Sequence, residues 1–113
     1  MNSWDKKLAL ILPTYNESEN IQQLLPSIRK IVPNAYMLIV DDSNRTESER
    51  SKKIVTKFKN IRIVIRKKKM GRGSAVLAGF ERAFKKNSIK YFVEMDTDLS
   101  HEPEELPDLY KAL

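Results

Sequence analysis

A chain of 113 residues has room for one small domain around a single core, and its 41% hydrophobic and 32% charged content is compatible with a folded, water-soluble chain. It contains no cysteine, which excludes disulfides and thiolate metal sites. The formal net charge of +6 points to anionic partners, whether nucleotide phosphates, acidic lipid or nucleic acid, without choosing among them.

The apolar run at residues 8–12 reads as a short buried strand that Pro13 stops. It is too short for a signal or membrane segment, which predicts a cytoplasmic protein. Asn16 followed by Glu19 fits a capping box. Ile21, Leu24, Leu25 and Ile28 then recur at helical spacing, with Pro26 expected to kink or divide the helix. Residues 36–40 read as a second buried strand, and 46–59 as a polar helix with Ile54, Val55 and Phe58 on one face. Ile61, Ile63 and Ile65 predict a third strand nearer an edge. A basic loop follows at 67–73, then a helix over 74–86, a fourth strand over 89–96, and a helix opened by Pro103 with Glu104 and Glu105 in its first turn. This alternation predicts an α/β fold: a Rossmann-like, mostly parallel sheet with helices on both faces. Ligands of such sheets bind beyond the carboxyl ends of the strands.

The unusual residues gather where strands end. Asp96 and Asp98 leave the fourth strand two residues apart, so both carboxylates share a side. That pattern suits a hard cation with a diphosphate, although taken alone it more often marks a turn or helix cap. Pro13-Thr14-Tyr15-Asn16-Glu17 stands where a dinucleotide-binding protein would carry glycines, so dinucleotide binding is disfavoured. Tyr15 could stack on a base and Glu17 bond its edge, or the segment is a turn and cap. Asp41 and Asp42 could accept bonds from a nucleoside, help hold a cation, or be solvated. Lys67, Lys68 and Lys69 could attract a diphosphate or an anionic membrane, or form a solvated loop. Gly71 and Gly73 permit close backbone approach to a ligand or a tight turn. His101 could line a metal site or sit at the surface. Glu94 shares the Asp96 face of its strand and has no evident role.

Together, P-T-Y-N-E at 13–17, V-D-D at 40–42, K-x-G-R-G-S-A-x-x-x-G-F at 69–80 and M-D-T-D-L-S-H-x-P-E at 95–104 resemble the family 2 glycosyltransferases of GT-A fold. The resemblance is strongest to the dolichol-phosphate (polyprenyl-phosphate) mannosyltransferases. It implies a nucleotide-sugar site in which Pro13, Tyr15 and Glu17 hold the guanine end and Val40 and Asp42 contact the nucleoside. Asp96, Thr97 and Asp98 would meet ribose, diphosphate and metal, with Asp96 and Asp98 as the catalytic pair. Ser100 would complete the metal's protein contacts. The implied reaction is transfer of mannose from GDP-mannose to a polyprenyl phosphate with Mg²⁺ or Mn²⁺. Nucleic acid is not an implied partner. Peripheral contact at the cytoplasmic membrane face, or with a partner chain, is compatible with it.

Two departures from the family pattern stand out. Its usual D-D-G-S-x-D-G-T is replaced here by Asp41-Asp42-Ser43-Asn44-Arg45-Thr46, which predicts a stiffer loop. Family members are also considerably longer, so residues 1–113 read as a single domain, the nucleotide-binding half of a transferase lacking its C-terminal part. A non-catalytic nucleotide-sugar-binding remnant or one piece of a split transferase is the alternative. A receiver-like signalling domain is a remote one, because residues 37–43 resemble the acidic start of a response-regulator receiver.

Overall fold

The computed structural model describes residues 4–66, 70–98 and 103–112. A 3₁₀ turn at Trp4–Lys7 leads into β1 (Leu8–Thr14), followed by α1 (Ser18–Ile31), β2 (Tyr36–Asp41), α2 (Arg45–Val55), β3 (Ile61–Ile65), α3 (Arg72–Phe84) and β4 (Tyr91–Glu94). A 3₁₀ turn at Pro103–Glu105 then opens α4 (Leu106–Ala112). The strands form one sheet in the order β3-β2-β1-β4, and all three pairings are parallel. The expected α/β architecture is therefore present.

The central strands β1 and β2 are buried along their whole length because both faces are covered. Side chains alternate between the faces. Leu8, Leu10, Leu12, Met37 and Ile39 join Ile21, Leu24, Leu25 and Ile28 of α1 in one core cluster. Ala9, Ile11, Leu38 and Val40 meet Ala75 and Ala83 of α3 in the other. Gly79 lets α3 lie close on the sheet, since a Cβ there would run into the Ile11 side chain.

Pro13 does not stop β1; it stops one of its two ladders. On the β2 side the pairing continues through Pro13↔Val40 and Thr14↔Asp41. On the β4 side it ends at Ile11↔Glu94, closed by Met95 N–H donating to the Ile11 carbonyl at 3.0 Å. The next bond would need an N–H on Pro13, which proline lacks. β4 is accordingly four residues long rather than spanning 89–96.

Three other expectations are corrected. The Asn16–Glu19 capping box is not formed: Glu17 is the N-cap residue of α1, without a side-chain cap bond, and Asn16 has φ +54°. The cap comes instead from α2, where Glu47 accepts from the Ser18 N–H and hydroxyl. Pro26 does not divide α1, because it faces solvent, where the carbonyl it leaves unpaired can meet water. Helices α2 and α3 begin and end earlier than their apolar patterns suggest, with Asn44 capping α2 and Gly71 preceding α3.

Candidate functional site

The strand order places β1 at the switch point of the sheet. From β1 the chain builds outward through β2 and β3, then returns to add β4 on the other side. In such sheets the crevice outside the carboxyl ends at this point is where ligands bind. A cavity of about 250 Å³ lies there, lined by Pro13, Thr14, Tyr15, Glu17, Asp42, Gly71, Ala75, Asp96, Thr97 and Asp98.

Most of the residues expected to share a ligand thus line one cavity. Tyr15 is 46% exposed, leaving its ring accessible at the mouth, and its N–H donates to Glu17 Oε1 at 3.1 Å. The turn carrying Asp96 and Asp98 is fixed by the residue between them: the buried Thr97 hydroxyl donates to the Pro13 carbonyl at 3.1 Å. That bond stands where the interrupted ladder leaves the carbonyl without a strand partner. Asp96 is half-buried and Asp98 exposed.

Val40 does not reach the cavity with its side chain, which is fully buried in the core beneath α3. Ser100 and His101, and the lysines at 67–69, lie outside the described residues.

The adjacent aspartates have different surroundings. Asp41 is fully buried and accepts from the hydroxyls of Thr14 (2.6 Å), Ser43 (2.5 Å) and Ser48 (2.5 Å). It braces the ends of β1 and β2 and the start of α2. Asp42 turns to the cavity wall, where both its oxygens meet Arg66, Nε to Oδ1 and Nη2 to Oδ2, each at 2.6 Å. The hydrogen bonds to Asp42 hold the Arg66 guanidinium more firmly protonated than an ordinary arginine. The glycine-free loop after β2 is knitted to the turn between β1 and α1: Ser43 Oγ accepts from Asn16 N–H at 2.7 Å and Asn16 Oδ1 from Asn44 N–H at 3.0 Å.

Sequence reasoning missed Thr14, Ala75 and Arg66. Thr14 and Ala75 carry no distinctive chemistry. Arg66 had one available signal: it is a cation just past a strand end, on the same sheet edge as the aspartates. Among the described residues no three His, Cys, Asp or Glu side chains form a metal cage. The carboxylates of Asp96 and Asp98 are nevertheless hard oxygen donors on one cavity. That suits a cation that completes its shell with water and ligand phosphates.

Comparison with known proteins agrees with this architecture. The chain is 36% identical over 110 residues to a dolichol-phosphate mannosyltransferase of Pyrococcus furiosus, covering 95% of this chain and 30% of that protein. It is 33% identical to a polyprenol monophosphomannose synthase of Mycolicibacterium smegmatis, covering 96% and 41%. The chain therefore spans less than half the length of these relatives. A solved structure of the mannosyltransferase PcManGT from Pyrobaculum calidifontis, in complex with GDP-Man and Mn²⁺, shares the fold with a TM-score of 0.74 at 18% identity, covering 93% of this chain and 31% of that one. The model of the family "Glycosyl transferase family 2" matches residues 9–113, and the chain belongs to that family.

Proposed function

We propose that this chain is the donor-binding part of a glycosyltransferase that moves a hexose, with GDP-mannose the favoured donor, onto a polyprenyl or dolichyl phosphate. The observation that carries the reading is the shared cavity of Tyr15, Glu17, Asp42, Asp96 and Asp98 at the switch point of the sheet. The relatives' named activities, on dolichol phosphate and polyprenol, support the acceptor class. The GDP-Man and Mn²⁺ of the structural neighbour support the donor and a divalent metal.

In this reading Tyr15 stacks on the base, Glu17 bonds its edge, and Asp42 forms the nucleoside wall. Asp96 and Asp98 receive the sugar-diphosphate end together with Mg²⁺ or Mn²⁺, and Ser100 is proposed as a further metal contact. When bound, the metal offsets the charge of the diphosphate as it leaves. The cation is needed because the cavity carboxylates and the donor are both negative. The acceptor phosphate is itself an anionic nucleophile, so no side chain has to act as general base. We place the reaction on the cytoplasmic side, with peripheral contact to the membrane.

The test is transfer itself. The protein is incubated with GDP-[¹⁴C]mannose, Mn²⁺ and a polyprenyl phosphate, and label is counted in the organic phase. Label that requires both metal and lipid phosphate is expected. Donor binding without transfer would instead favour a binding module that relies on a partner chain, and the short span of this chain against its relatives makes that the second reading.

A further inference from the structure

The wall of the cavity formed by Asp42, Gly71 and Ala75 is held by a side chain outside its lining, Arg66. The Arg66 backbone is fixed first: its N–H donates to the Asp41 carbonyl at 2.9 Å, continuing the β2–β3 ladder beyond Ile65. From there the guanidinium contacts three places. Nε and Nη2 grip Asp42 in a two-point pair, Nη1 donates to Ser74 Oγ at 2.8 Å in the first turn of α3, and Nη2 also donates to the Gly71 carbonyl at 3.3 Å. Met70 N–H closes the loop by donating to Asp42 Oδ2 at 3.1 Å. The pair is well shielded, with the Arg66 side chain 12% and the Asp42 side chain 5% exposed.

We propose that Arg66 is a positioning residue of the donor cavity, clamping Asp42 and the Gly71 turn into one fixed wall. The inference rests on the donor-binding reading above.

Two physical arguments support it. The first is geometric. Gly71 sits at φ +91°, a backbone state that other residues rarely adopt, and its carbonyl also accepts from Ala75 N–H at the start of α3. Arg66 thus sets the turn from which α3 departs. A planar guanidinium can satisfy a carboxylate, a hydroxyl and a carbonyl together, which a lysine ammonium does not reproduce. The second is electrostatic. Glu17, Asp42, Asp96 and Asp98 all line a cavity proposed to take an anion. Arg66 neutralises one of these carboxylates from behind, where no ligand or metal is needed to do so. Removing Arg66 takes this two-point pair away from a shielded Asp42 that faces the donor.

The test is calorimetric titration of GDP with Mn²⁺ into the wild type, Arg66→Gln, Arg66→Lys, Asp42→Asn and the Arg66→Gln/Asp42→Asn double variant. Amide exchange at Met70 is followed in parallel. Arg66→Gln is expected to weaken binding on the order of tenfold, as the loss of hydrogen bonds to a charged group would. Arg66→Lys should recover only part of this. The double variant should lose less than the two single variants summed, because both substitutions break the same pair. Met70 should lose protection in Arg66→Gln while β1 keeps its own. Wild-type affinity in a folded Arg66→Gln, or strictly additive losses, would overturn the inference and leave the functional reading standing. Absence of GDP binding by the wild type would overturn both together.

Discussion

Asp41 and Asp42 are neighbours in the chain with unlike environments, and the difference is set by their surroundings rather than their chemistry. Asp41 ends β2 pointing inward at three hydroxyls. Replacing it with alanine strands those donors in a buried space. Asp41→Ala should cost on the order of 3 kcal/mol in denaturant unfolding, and Asp41→Asn, which keeps one acceptor oxygen, should cost less. Equal losses in the two variants would show that the hydroxyls find other partners. The sequence showed two acids after a strand but not which one faced inward, because that depends on where Thr14 and Ser48 lie in space. The same limit applies to Arg66, whose contacts span residues 42 to 74. Tyr15, Glu17, Asp96 and Asp98 were legible because their place at strand ends follows from the strand pattern alone. The position of Val40 in the motif did not reveal that α3 lies over its side chain.

At the level of elements, apolar runs and periods located β1 to β4 and α1 to α3, and Pro103 with its acidic pair located α4, while other proline and cap signals misled locally. Pro13 was legible as a terminator, but only the pairing of β1 on two sides shows that it terminates one ladder. The cap of α1 could not be read locally, because its acceptor is Glu47, 29 residues away from Ser18. Hydrogen bonds from the Ser18 backbone hold the Glu47 carboxyl below its ordinary value, with Arg50 adding to the effect. A lowered folded-state pKa stabilises the fold above the unfolded value, near 4.5, and that contribution is lost as pH falls through the folded value. Glu47→Gln keeps an acceptor oxygen for the Ser18 N–H but loses the charge, so it should be less stable than wild type at neutral pH by less than the roughly 1 kcal/mol of a lost cap. The gap should narrow in acid below that range. A gap that stays constant between neutral and acid pH would mean that the charge of Glu47 contributes nothing.

At the scale of the whole molecule, the cavity and the overall charge differ in sign. The cavity end carries carboxylates, whereas the net charge of the chain is +6. No helix among the described residues is long and apolar enough to cross a membrane. The positive net charge leads us to expect a lipid contact that is electrostatic and fades with salt. Liposome co-sedimentation should fall as salt rises, and binding that survives high salt would contradict this. Leu77 and Phe84 of α3 are each 65% exposed, and the Phe84 ring lies tilted against Phe92 of β4 with centroids 4.6 Å apart. Exposed large apolar side chains of this kind favour self-association. Sedimentation velocity should show concentration-dependent association that Phe84→Glu weakens; a monomer at all concentrations would rule it out. The central claim is that the cavity binds a nucleoside diphosphate through Asp96, Asp98 and a divalent cation. It is tested most directly by calorimetric titration of GDP with Mn²⁺ and with chelator, in wild type, Asp98→Ala and Tyr15→Ala. The account predicts tighter binding with metal, loss of most of that gain in Asp98→Ala, and a loss of about 1 kcal/mol in Tyr15→Ala under either condition. Metal-independent binding unchanged by Asp98→Ala would contradict it.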